Sequence, residues 1–175
     1  MSALFLLGVL TPIALAQPAG TPAAAQKEGA KREKALESKD AGKLFGEPAW
    51  KRVAPAAEKL FKEKGLDLVV ETYDVLPKGD ATKIGAMKPV ERERFFKQLA
   101  DARAKELSLQ GVYVLVTKTP ATLYVEVTNP KEFPPGLATK LKSALLASFK
   151  EKKYDDGLTK IIDMTLEAKG LGEKK

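Results

Sequence analysis

Residues 111–128 constrain the fold more than any other stretch of this chain. They read Gly-Val-Tyr-Val-Leu-Val-Thr, then Lys-Thr-Pro-Ala, then Thr-Leu-Tyr-Val-Glu-Val-Thr. Two apolar, β-branched runs around a short turn containing Pro120 predict an antiparallel hairpin. The first run is apolar on both faces and predicts a central strand covered by helices. The second alternates, with Leu123, Val125 and Val127 on one side and Tyr124, Glu126 and Thr128 on the other. That pattern predicts a strand nearer an edge.

Helical patterns surround the hairpin. Pro48 is placed to start a helix, Val53, Ala57, Leu60 and Phe61 form its apolar stripe, and Gly65 stops it. Trp50, the single tryptophan, reads as core or cap packing. Leu66 to Tyr73 predicts the first strand, followed by a long loop over 74–88. A second helix is expected over Pro89 to Leu107, with Phe95, Phe96, Leu99, Ala102 and Leu107 facing inward. After the hairpin, Asn129-Pro130 and Pro134-Pro135 mark a rigid turn. Residues 136–152 and Tyr154 to Ala168 predict two more helices. A strand–helix–strand crossover makes a right-handed parallel pair. The expected fold is therefore an α/β/α three-layer sandwich: a small mixed sheet, a parallel pair plus the hairpin strand, with helices on both faces. The folded unit is expected over 47–169, with a frayed tail over 170–175.

The N-terminal part reads differently. Residues 2–16 are uncharged and end in Ala14-Leu15-Ala16, the small-x-small pattern of a signal-peptidase site. Cleavage after Ala16 would place the protein outside the cytoplasm, in a periplasm or at a cell surface, with no transmembrane span left. No Lys or Arg precedes the run, a departure from the usual signal. The other reading is a retained anchor or a packed apolar helix. Residues 17–46, rich in Ala, Pro, Gly, Lys and Glu, read as a disordered tether.

The chain contains no cysteine and no histidine. That excludes thiolate nucleophiles, Cys or His metal sites, a Ser-His-Asp triad and imidazole acid–base chemistry. Catalysis would have to rest on carboxylates, Lys, Tyr, Ser or Thr. The net charge of +7 is carried mostly by Lys mixed with Glu along the helices, which argues against a nucleic-acid interface built on Arg forks and stacked aromatics.

Carboxylates at strand and helix ends give the candidate sites. Ligands of open α/β sheets gather beyond the carboxyl ends of parallel strands. Glu71 and Asp74 end the first strand, Asp80 lies in the loop after it, and Thr117 and Lys118 close the next strand. These residues are expected to share one cleft, and Lys118 could meet an anion or protect the hairpin edge. The other reading of Glu71 is a solvent-facing residue or the partner of a helix Lys. Asp155 and Asp156 open the last helix; they read as a cap for its free amides or as a cation-binding, acid–base pair.

These stretches resemble the TPM domain, a family of exported or membrane-tethered α/β modules of bacteria and plastids. The resemblance covers residues 47–168. It rests on Leu68-Val69-Val70-Glu71-Thr72, on Glu93 to Leu107, on Gly111-Val112-Tyr113-Val114-Leu115-Val116, and on Phe149 with Lys153-Tyr154-Asp155-Asp156-Gly157-Leu158. It implies a non-enzymatic binding or assembly module acting on an envelope protein or membrane complex. Some family members are assigned acid phosphatase activity, which implies an alternative: a hydrolase using a divalent cation such as calcium, with Asp155 and Asp156 as catalytic or metal-binding groups. Many members carry an Asp-Asn or Asp-Asp pair before the core strand. Here Leu109-Gln110 stands in its place, and calcium sites need several carboxylates at one centre. The first expectation is accordingly a module with no cofactor.

Overall fold

A computed structural model describes residues 32–76 and 81–172. The expected signal segment 1–16, the tether up to residue 31, Asp80 and residues 173–175 lie outside it. The elements are β1 (Lys39–Asp40), α1 (Glu47–Trp50), α2 (Val53–Lys64), β2 (Asp67–Val75), α3 (Ala81–Ala86), α4 (Pro89–Glu106), β3 (Gly111–Thr119), β4 (Thr122–Val127), α5 (Leu137–Lys150) and α6 (Tyr154–Glu167). They form a mixed four-stranded sheet in the order β1-β2-β3-β4. β1 and β3 both run parallel to β2, and β3–β4 is the predicted antiparallel hairpin.

Side-chain alternation divides the sheet between two cores. Leu68 and Val70 of β2, Val112, Val114 and Val116 of β3, and Leu123 and Val125 of β4 pack with α1, α2, α5 and α6. Val69, Tyr113 and Leu115 face the other way, onto Ile84 of α3 and Phe96, Ala100 and Ala104 of α4. Helices thus cover both faces. Each fully buried Leu, Ile or Val in these cores contributes about 1.5–3 kcal/mol.

Four expectations need correction. The folded unit starts well before Glu47. Ser38 Oγ accepts the Val70 N–H at 2.9 Å, β1 pairs with Glu71 and Thr72, and Asp40 accepts the Leu44 and Phe45 N–H groups at 3.0 and 3.3 Å. Polar side chains, invisible to an apolar-periodicity reading, tie residues 32–46 to the domain. They also add a third parallel strand to the expected pair. Second, part of the 74–88 loop is helical: α3 forms because Ile84, 2% exposed, anchors it in the α4-side core. Third, Ala102 points to solvent; the inward stripe of α4 runs Phe96, Ala100, Ala104 at four-residue spacing. Fourth, residues 170–172 do not fray. Leu171 N–H bonds to Leu166 O and Gly170 N–H to Glu167 O, with Gly170 at φ 70°, a Schellman closure that needs glycine.

Gly111 opens β3 for a different reason. A Cβ there would sit 2.1 Å from the Asp67 carbonyl oxygen. The two parallel strands approach so closely at their start that no side chain fits. Trp50 packs as expected, stacked on Phe45 at 6.1 Å.

Candidate functional site

Glu71 is the most heavily engaged of the sequence-predicted residues. It sits on the α4 face of β2 with 1% of its surface exposed. Arg103 of α4 reaches it with Nε at 3.1 Å from both carboxylate oxygens and Nη2 at 2.6 Å from Oε1. The Tyr113 hydroxyl donates to Oε2 at 2.7 Å and the Tyr73 hydroxyl at 3.2 Å. Arg103 Nη1 also reaches Glu106 at 3.0 Å. The cluster borders a cleft of about 390 Å³ walled by Leu76, Leu99 and Leu115.

The proton states follow. Burial pushes the Glu71 carboxyl up, but the hydrogen bonds from Arg103, Tyr113 and Tyr73, with the Arg103 charge, outweigh it and hold the group below 4.5. Burial, and then the Glu71 carboxylate, push the Tyr113 phenol far above its ordinary value. Burial and Glu71 also raise Tyr73. Glu71 is therefore a saturated anion between neutral phenols and a guanidinium. The arrangement clamps α4 to the sheet and leaves no group near its titration point at neutral pH. The partner is a helix Arg, not the helix Lys or the solvent read from sequence.

The shared cleft expected of Glu71, Asp74, Thr117 and Lys118 does not form. Asp74 and Lys118 lie on the face of the sheet opposite to Glu71, because strand side chains alternate. They pair with each other at 3.1 Å in solvent. Thr117 is buried and donates to the Pro120 carbonyl at 2.5 Å, tying the hairpin turn. At this carboxyl end of β3, Thr117 and Lys118 border a groove of about 450 Å³ whose walls are Leu44, Leu123, Leu146 and Phe149, with Lys150 and Tyr154 at the rim.

Asp155 and Asp156 lie in the first turn of α6, where their charge suits the helix dipole. Neither caps that helix with its side chain: the N-cap position is Lys153 and carries no side-chain cap bond. Asp155 instead accepts the Gly46 N–H at 2.7 Å, joining the chain before α1 to α6. Asp156 is exposed. Among the described residues, no three Asp or Glu side chains converge on one point in the manner of a metal site.

Sequence reading missed the second buried ion pair. Asp67 at the start of β2 is fully buried, held by Arg32 Nη1 and Nη2 at 3.0 and 2.7 Å and by the Gln110 N–H at 2.8 Å. The guanidinium also lies over the Phe61 ring, 5.3 Å from its centroid. An Asp inside Leu-Asp-Leu-Val-Val is a charge in an apolar run and signals a buried partner. Nothing local marks Arg32 as that partner. Arg103 likewise reads as one more solvated helix charge.

No family model matches this chain, and no curated protein matches it.

Proposed function

We propose that this chain is an exported TPM-like domain that works as a non-enzymatic binding or assembly module of the cell envelope. The observation that carries the reading is the groove at the carboxyl end of β3. It has apolar walls, and its lining includes the cation Lys150, Tyr154, and Lys118, whose charge is shared with Asp74. Such a surface suits the docking of a segment with apolar anchors and negative charge. The carboxylates that acid–base chemistry would need support the same reading, since each engaged one has a structural bond: Glu71 to Arg103, Asp74 to Lys118, Asp155 to the Gly46 amide. Gln110, at the place of the family's acidic pair, directs its N–H to Asp67.

The reading makes two demands. Incubated with a chromogenic phosphate ester, with and without calcium, magnesium or manganese, the chain should release phosphate no faster than buffer. Metal-dependent turnover lost in Asp155→Asn or Asp156→Asn would establish the carboxylate hydrolase in its place. An envelope partner captured by the wild-type chain should be lost from Leu146→Glu, which puts a charge on the groove wall. Undiminished capture by that variant would move the docking surface elsewhere.

A further inference from the structure

The main chain of β4 leaves the sheet unfinished. β4 is an edge strand. Thr128 donates its N–H to Gly111 O at 2.9 Å. Main-chain groups alternate along a strand, so residues 122, 124 and 126 point toward β3. Leu123, Val125 and Val127 then present N–H and C=O away from it, and none of these groups has a partner among the described residues. Of the usual protections of an edge, only a single charged side chain, Glu126, is present. Thr122–Val127 contains no Pro and no Lys, and its pairing with β3 runs without a bulge. The opposite edge of the sheet is β1, only two residues long.

We propose that β4 pairs antiparallel with β4 of a second copy, about a two-fold axis normal to the sheet through Val125. This register matches every alternation at once. Val125 meets the partner's Val125, and Leu123 meets the partner's Val127, all through outward-facing main-chain groups. That gives about six hydrogen bonds, whereas a two-residue slip either way keeps about four. Side chains agree with the main chain. Leu123, Val125 and Val127 continue one apolar face across the junction. On the other face Tyr124 lies opposite the partner's Glu126, and these two residue types already bond within one strand, Tyr124 hydroxyl to Glu126 Oε2 at 3.0 Å. α5 follows the strand. Leu146 shares a groove with Leu123, and Ala138 shares one with Val127. The pairing therefore carries Leu146, 40% exposed, toward the partner's Ala138. A two-fold axis makes the contact self-complementary and closed.

The chain has no cysteine, so single-cysteine variants report the register directly. In the proposed pair the Cα atoms of the Val125 residues lie about 5.5 Å apart, inside the range a disulfide spans. Val125→Cys should cross-link to a covalent dimer under mild oxidation. Thr122→Cys, about 20 Å from its copy, should not. Sedimentation equilibrium of the full chain up to about 100 µM should show a monomer–dimer equilibrium. Val127→Lys, an inward-pointing edge charge, should weaken it at least about tenfold with the far-ultraviolet circular dichroism unchanged. A wild-type chain that stays monomeric overturns the proposal, as does equal cross-linking of Thr122→Cys. If Val127→Lys fails to fold, the cross-linking pair decides alone.

Discussion

β2 buries two carboxylates, Asp67 and Glu71, on opposite terms. Both are at most 1% exposed and both meet an Arg fork. Glu71 is held from inside the α/β unit, by a helix Arg and by tyrosines from its own and the next strand. Asp67 is held from outside the predicted domain, by Arg32 at the start of the described chain, with one strand-end amide as second support. The Arg32 side chain is 27% exposed and Arg103 22%, so the difference lies less in burial than in what anchors each Arg. A guanidinium on an 18-residue helix is positioned before it bonds. One on an irregular arm is positioned only by the bonds that arm makes, of which its own is the first and Ala35 N–H to Glu58 the next. One pair fastens a packed helix; the other fastens the leading end of a segment that Ser38, Asp40 and β1 also tie to the domain.

Variants can break this contrast, beginning with the largest expected effect. Arg103→Met leaves Glu71 charged and uncompensated in the core and should lower unfolding free energy by about 3–5 kcal/mol in urea titration. Pairing it with Glu71→Leu should recover most of that loss, since the desolvated charge goes with its partner. Tyr113→Phe removes one donor to the carboxylate and should cost about 1.5–3 kcal/mol. Arg32→Ala should cost about 1–3 kcal/mol, because water can reach Asp67 once the arm lifts. Its diagnostic sign is local: hydrogen exchange at the amides of 42–45 and at Val70 should accelerate, with α4 unaffected. Equal acceleration throughout would show that the two clamps are one cooperative unit.

Acid titration sharpens the same comparison. The Glu71 carboxyl titrates below 4.5 in the folded state and near 4.5 when unfolded. Its ionised form therefore stabilises the fold fully above that value, and the contribution drains away as pH falls toward the folded value. Glu71→Gln should be less stable than wild type at neutral pH, and the gap should narrow below pH about 4. A gap that stays constant down to pH about 2 would place the effect of Glu71 in its shape and not in its charge. The smallest effect belongs to Asp155→Asn, which weakens a single solvent-exposed bond to the Gly46 amide and should cost about 0.5–1 kcal/mol.

The apolar pattern makes the hairpin, the helix order and the crossover legible in the sequence. Val112 to Val116 and Leu123 to Val127 carry unmistakable period and composition, and burial follows them. What stays hidden is held by polar side chains acting at long range. Arg32 and Asp67 are 35 residues apart, Glu71 and Arg103 32 apart, Gly46 and Asp155 109 apart. Local propensity has no access to such pairings. The candidate site suffers from the alternation that makes the strands readable. Glu71 and Asp74 are near in sequence, yet an odd spacing sends them to opposite faces.

The Arg32–Asp67 clamp ties the domain's integrity to how the chain is trimmed. A peptidase cutting just after Ala16 would leave Arg32 in place. One cutting anywhere between 33 and 46 would release the guanidinium and leave the buried Asp67 carboxylate without its ion-pair partner, so clipped molecules would denature first and be cleared first. Resistance to clipping of this arm thereby rests in part on one arginine.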